Sequence, residues 1–246
     1  MSEPLLVLEG LEVQREDPLS GEKRVTARDV CLRLAQGEQL ALVGENGAGK
    51  TSLLLALVGA TEWSGRVALR NVELGSTTLE SIRERVGFVF ATPADQLFCD
   101  TVEDELAFGL RARGRSEAEI VSRVDATLTR FSLTPLRGKF PGALSLGEQR
   151  RVALGAALIT DPDLLLLDEP TASLDGRARR GLIDLLRELP AACVVATHDL
   201  DFALELGMRV VALREGRVVA DGPAEELLRD AVTLERAGLE PPFGLR

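Results

Sequence analysis

Apolar and polar residues change rhythm several times along the chain. "LLVLEGLEVQ" (5–14) and "RVTARDVCLRL" (24–34) alternate as half-buried strands do, around a turn in "EDPLSGEK" (16–23). "QLALVG" (39–44) is a short, fully apolar strand. A Gly-rich loop and an apolar helix, "TSLLLALVGA" (51–60), follow it. Strand signals return in "GRVALR" (65–70) and "RVGFVF" (85–90). Residues 101–140 read as mainly helical. Within them, Ser116 and Glu119 have capping-box spacing ahead of Ile120, Val124 and Leu128 on one face.

From residue 145 onward helices and strands alternate. Helices are expected at 146–159, 176–188 and 200–206, with strands "LLLL" (164–167) and "CVVAT" (193–197) between them. A hairpin, "RVVALREGRVVADG" (209–222), comes next, and "PPFGLR" is expected as a surface extension. Continuous apolar strands between helices predict a mainly parallel sheet covered on both faces. The fold class is therefore α/β, with an antiparallel β region at the N-terminus and a helical insertion. The expected organisation is a single domain over 1–246, with residues 91–159 inserted between core segments 1–90 and 160–246.

The chain's 246 residues are 45% hydrophobic, enough for a large core. Its net charge of −10 argues against a nucleic-acid-binding surface. Cys31, Cys99 and Cys193 are scattered and form no CxxC pair, so buried free thiols are expected. No secretory leader precedes the first strand, and no apolar run reaches the roughly 18 residues of a membrane helix. A cytoplasmic chain is expected.

The chemistry concentrates at two places. "GENGAGKT", from Gly44 through Glu45, Asn46, Gly47, Ala48, Gly49 and Lys50 to Thr51, matches G-x-x-x-x-G-K-[ST] in full. In such a loop, glycines let successive N–H groups face a phosphate, the lysine reaches the outer phosphates, and the hydroxyl faces Mg²⁺. In "LLLLDEP", an apolar strand delivers Asp168 to the sheet edge, where a carboxylate can hold Mg²⁺ through water. Glu169 follows, placed to polarise a water.

With these motifs in order, followed by "ALSLGEQRRVALGAAL", "LLLLDEPTASLD" and "ATHD", the chain resembles the ATP-binding-cassette ATPases over nearly its whole length. "SLGE" looks like the family's signature segment and is also a capping box, Ser145 with Glu148. The resemblance implies that Ser145 and Gly147 bind the γ-phosphate of an ATP held by a second cassette. It implies that Asp175 in "SLD" crosses the dimer interface. It also gives Glu169 and His198, the only histidine, catalytic roles. ATP and Mg²⁺ are the implied cofactors.

Three positions depart from the family pattern. Arg15 aligns where an aromatic residue usually stacks on adenine, and the chain has no tyrosine. Leu146 replaces a signature glycine, and Ala91 stands where a Mg²⁺-sensing glutamine belongs. "VGFVFATPADQLFCDTVEDELAFG" (86–109) resembles the cobalt/energy-coupling-factor subgroup, with Gln96 at that subgroup's second glutamine. This implies a transmembrane subunit docking near 91–109, a second identical or homologous ATPase subunit, and a peripheral position on the inner face of the cell membrane. Two alternatives stand beside this importer reading. One is a weakly active regulatory cassette paired with an active homologue, and the other a soluble cassette unrelated to transport.

Overall fold

A computed structural model describes residues 3–16 and 21–245. Most of the turn expected at 16–23, residues 17–20, lies outside the described residues. The strands are β1 (Leu6–Glu16), β2 (Lys23–Leu34), β3 (Gln39–Val43), β4 (Glu62–Leu69), β5 (Val72–Glu73), β6 (Val86–Val89), β7 (Leu164–Asp168), β8 (Ala192–Thr197), β9 (Arg209–Arg214) and β10 (Arg217–Pro223). The helices are α1 (Lys50–Leu57), α2 (Leu79–Arg83), α3 (Val102–Ala112), α4 (Glu117–Arg130), α5 (Leu146–Leu158), α6 (Gly176–Arg187), α7 (Leu200–Glu205), α8 (Ala224–Leu227) and α9 (Ala231–Ala237).

Two sheets form. The smaller is antiparallel, in the order β2-β1-β4-β5. The larger runs β10-β9-β3-β8-β7-β6 and is parallel except for the β10 edge. Its central strands bury both faces, and the two-residue period of a strand divides them between two cores. Ala41, Val43, Leu165, Leu167, Cys193 and Val195 face the core shared with α3 to α6. Leu40, Leu42, Leu164, Leu166, Val194 and Ala196 face the core shared with α1 and the antiparallel sheet. Fully apolar strands without alternation are the sequence form of this double burial.

The expected caps are present. Ser116 Oγ accepts from the Glu119 N–H at 3.3 Å, and Ile120, Val124 and Leu128 are buried beneath α4. Glu148 accepts from the Ser145 N–H at 2.8 Å and from its hydroxyl at 2.7 Å, opening α5.

Several details differ from the sequence reading, and the stretch between the strands expected at 65–70 and 85–90 adds β5 and α2. Helix α1 ends at Leu57 and β4 begins at Glu62 rather than at Gly65. Gly65 lies inside that strand because the backbone of β1 bulges toward it, so that a Cβ there would fall on the carbonyl oxygen of Gly10. Cys31 is exposed rather than buried, since Val30 and Leu32 take the inward positions of β2, and Cys99 is only half-buried. Cys193 is buried as expected, and burial pushes its thiol up to about 12. The C-terminal region adds α8 and α9, and the backbone N–H groups of Phe243 and Gly244 anchor the tail to the Asp201 carboxylate.

Candidate nucleotide site

Strand order assembles the site. β3, β8 and β7 are consecutive neighbours running in one direction, so the residues just past their carboxyl ends emerge at one edge. β3 is followed by Gly44–Thr51, β7 ends in Asp168 and leads to Glu169, and β8 leads to His198.

The loop after β3 curls tightly. Gly49 has φ 102°, and a Cβ there would run into the carbonyl oxygen of Thr26 on β2. No other residue fits both constraints. Lys50 is only 6% exposed. Its ammonium donates to the carbonyl oxygens of Gly44 at 2.8 Å and Glu45 at 3.2 Å, and lies 3.8 Å from the Glu169 carboxylate. Burial lowers its pKa, and the charges of Glu169 and Asp168 partly restore it. The lysine thus ties the two ends of the loop together around its own cation. Glu45 and Asn46 are exposed, and Glu45 lies against Gly238 at the end of α9.

Thr51 Oγ1 donates to both carboxylate oxygens of Asp168 at 3.0 Å. Burial raises the pKa of Asp168, against the lowering effect of that hydrogen bond. A buried carboxylate facing a hydroxyl is a hard-oxygen donor pair suited to a divalent cation.

Glu169 adopts φ 44°, a left-handed backbone that costs a non-glycine residue energy. Its N–H donates to Ala196 O at 2.8 Å, which holds that conformation. The carboxylate Oε2 lies 2.8 Å from His198 Nδ1 and accepts from the His198 N–H at 3.4 Å. Lys50, Thr51, Asp168, Glu169 and His198 therefore form one continuous cluster, and the histidine is its exposed outer member.

Other candidate residues lie elsewhere. Ser145, Gly147 and Asp175 line a separate cleft of about 700 Å³ between α5 and α6, which none of residues 44–51 lines. Asp175 caps α6, accepting from the N–H groups of Arg177 and Ala178 at 2.9 and 2.8 Å. Gly147 presents open space where a side chain would stand, and Leu146 beside it is 42% exposed. Arg15 is exposed near the end of β1, and its charge is among those that act on Asp168.

The segment following β6 makes its own contacts. Gln96 Oε1 accepts from the Phe90 N–H at 2.8 Å, so its amide closes the loop on itself. Glu105, buried on α3, accepts from the N–H groups of Phe98 at 2.9 Å and Cys99 at 2.8 Å. This holds Phe98 outward. Its ring meets Phe108 edge-on, centroids 4.9 Å apart, with the two residues 64% and 49% exposed.

Sequence reasoning passed over Arg150 and Glu105. Arg150 is 3% exposed and donates to the carbonyl oxygens of Ala91, Pro170 and Ala172. The signal for it is its helical register: Arg150 lies three and four residues before Ala153 and Leu154, on the buried face of α5. Glu105 likewise interrupts the buried face of α3.

A family model described as ABC transporter matches residues 27–172. A Gloeobacter violaceus protein named for ABC transporter ATP binding is 44% identical, covering 100% of this chain and 99% of its own. The cobalt import ATP-binding protein CbiO of Rhodobacter capsulatus is 44% identical over 87% of this chain and 79% of its own length. Among solved structures, CbiO1 of Clostridium perfringens, part of the ABC transporter complex CbiONQ, superposes with TM-score 0.79 at 30% identity, covering 96% of this chain and 95% of that one. A dimeric ATP-binding cassette in a post-hydrolysis state, bound to ADP and Pi, superposes with TM-score 0.80 at 26% identity over 89% and 98% of the two chains.

Proposed function

The chain belongs to the ABC transporter family and is an ATP-binding ATPase of that family, and from that premise we propose that it powers a membrane importer of the energy-coupling-factor type, for a vitamin or a transition-metal ion. The observation that carries the importer reading is the aromatic edge at 98–108. Two phenylalanines stand exposed side by side, Phe108 on α3 and Phe98 with its backbone N–H held from beneath by the buried Glu105. An unpaired apolar surface so rigidly presented suits the apolar face of a partner helix. The likeness to CbiO and CbiO1 supports the same assignment.

In this reading ATP binds with its phosphates on the loop Gly44–Thr51 and is covered by Ser145 and Gly147 of a second cassette, identical or homologous. Thr51 Oγ1 and the Asp168 carboxylate would hold Mg²⁺, which when bound neutralises phosphate charge. Lys50 exchanges its bonds to the Gly44 and Glu45 carbonyls for phosphate oxygens. Glu169 accepts a proton from the attacking water, and His198, paired to its Oε2, orients that carboxylate and reaches the γ-phosphate. Asp175 and the cap of α6 lie on the closing surface. Closure of the two cassettes drives the membrane partner, and hydrolysis releases it. Among the described residues no helix is long and apolar enough to cross a membrane, so attachment to the inner face comes through that partner.

The test is co-purification with candidate membrane subunits and identification of them by mass. Phe98→Asp with Phe108→Asp is expected to weaken their retention by at least about tenfold, with ATP hydrolysis by the chain alone unchanged. Undiminished retention would rule out this face as the dock.

Ala91 leaves the metal side of the site one amide short of the family pattern, and water can take that place. Ala91→Gln is expected to raise steady-state ATPase, or its stimulation by the partner, by a few-fold. An unchanged rate under both conditions would show that the position has no role. The exposed Leu146 and Arg15 favour a second reading, a weakly active cassette paired with an active homologue. Measuring hydrolysis by the purified chain, alone and with that homologue, separates the two readings.

A further inference from the structure

Arg150 is a buried cation held by carbonyl oxygens. Nη1 donates to Pro170 O at 2.7 Å and to Ala172 O, and Nη2 donates to Ala91 O at 3.0 Å. Nε is buried without a hydrogen-bond partner among the described residues. Burial pushes the guanidinium below its ordinary pKa, and no carboxylate offsets this. An uncompensated charge in such a place costs stability, and an apolar side chain of similar length would avoid the cost. Charge pairing therefore does not account for an arginine here.

The positions of its three acceptors do. Ala91 is two residues beyond β6, where the segment bearing Gln96 and Phe98 begins. Pro170 and Ala172 lie on the loop that leaves Glu169 and runs to Asp175. That loop is bracketed by two left-handed residues, Glu169 at φ 44° and Ser173 at φ 60°. Arg150 itself is on α5, the helix opened by Ser145 and Glu148. One planar fork thus joins three segments that are far apart in the chain. Only a guanidinium has enough donors, in a fixed plane, to hold carbonyls on two loops at once.

We infer that Arg150 is a positioning residue that makes the segment at 91–98 and the loop at 169–175 move together when nucleotide binds. Its hydrogen bonds go to backbone carbonyls of two loops, and none goes to residues 44–51 or to the side chains of Asp168 and Glu169. It acts by fixing where the Glu169 loop sits relative to α5 and to the aromatic dock. Because Glu169 and Ser173 hold strained left-handed backbone at the two ends of this loop, its conformation depends on the bonds that hold it, and two of those bonds come from Arg150. The dock at 98–108 belongs to the importer reading above, on which the consequence for a membrane partner rests. The coupling between the two segments does not depend on it.

The test compares the wild-type chain with Arg150→Met and Arg150→Lys. Methionine fills similar space without the buried charge but leaves the Ala91, Pro170 and Ala172 carbonyls without this donor, so the melting temperature is expected to stay within a few degrees of wild type. Hydrogen exchange is then followed with and without a Mg²⁺-bound non-hydrolysable ATP analogue. In the wild type, nucleotide is expected to slow exchange in 91–98 and 169–175 together. In Arg150→Met the second segment responds and the first does not. Arg150→Lys, whose single ammonium reaches fewer acceptors, gives an intermediate response. In parallel, kcat is expected to fall about tenfold in Arg150→Met, with KM for ATP changed less than about threefold. A purely structural role would instead lower the melting temperature or raise KM.

The inference is overturned if 91–98 responds to nucleotide equally in the wild type and Arg150→Met, or in neither. It is also overturned if kcat is unchanged. Failure of wild-type chain to retain any membrane subunit would overturn the importer reading and leave the exchange result standing, so the two failures are distinguishable.

Discussion

Glu169→Gln is expected to abolish turnover while preserving ATP binding. The carboxylate lies between two cationic or ionisable partners, Lys50 Nζ at 3.8 Å from Oε1 and His198 Nδ1 at 2.8 Å from Oε2. An amide keeps the size and can still bond to the imidazole, but it cannot take a proton from water. Loss of a general base lowers a rate by about 10²- to 10⁴-fold, and kcat is expected to fall within that range. KM should change little, because the proposed phosphate loop, residues 44–51, is untouched by the substitution. The variant should also accumulate as a closed pair of chains in Mg²⁺–ATP, visible as a doubled mass by light scattering, since the step that reopens the pair has been removed. His198→Ala serves as the comparator. It leaves the carboxylate in place but removes its orienting partner, so a smaller loss is expected. Turnover by Glu169→Gln within about threefold of wild type would sink Glu169 as the base, since a general base contributes far more than that. If the wild-type chain alone also fails to hydrolyse ATP, the paired-subunit reading takes precedence, and the same variant must be made in the homologue.

The strength of this prediction depends on how much of the site is encoded locally. The loop "GENGAGKT" is readable because spacing, glycine and lysine all lie within eight residues of one another. Asp168 and Glu169 are readable because an apolar strand that ends in acids has one plausible exit, the sheet edge. α4 and α5 announce themselves through caps, Ser116 with Glu119 and Ser145 with Glu148, whose partners are three residues away. Where a residue's partner is distant, the sequence carries no such mark. The close approach of Thr26 to Gly49 depends on how β2 crosses the phosphate loop. The three carbonyls around Arg150 come from segments 20, 22 and 59 residues away. Gln96 is a subtler case. It is the only amide side chain in its loop, which draws attention to it as a ligand, yet its hydrogen bond goes to the Phe90 backbone six residues back. α8 and α9 were obscured for another reason. They are short, four and seven residues, and helices of that length are stabilised by packing more than by pattern. Leu227, Leu234 and Ala237 supply that packing against the core beneath β9 and β10.

Lys50→Met is expected to remove nucleotide binding with little effect on the fold. The ammonium is nearly buried and bonded to two carbonyls of its own loop, so the loop is shaped around it. Burial disfavours its charged form, with Glu169 and Asp168 acting in the opposite direction. A buried cation of this kind is costly to the unliganded fold, and methionine removes that cost while forfeiting two hydrogen bonds. The opposing changes should leave the melting temperature of the nucleotide-free chain within a few degrees of wild type. Binding is different, because phosphate repays the lysine's desolvation and methionine offers nothing in return. Loss of charge-assisted hydrogen bonds worth about 3 kcal/mol raises Kd by roughly a hundredfold. The contrast is read in thermal melts. Saturating Mg²⁺–ATP should raise the wild-type melting temperature, since ligand bound only to the folded chain stabilises it, while Lys50→Met should show almost no shift. Lys50→Arg tests whether charge alone suffices. Its planar fork differs in shape from the compact ammonium that bonds both carbonyls, so partial recovery of affinity with poor turnover is expected. An equal melting shift in wild type and Lys50→Met would mean that the phosphates are held elsewhere, and the assignment of residues 44–51 as the nucleotide loop would have to be withdrawn.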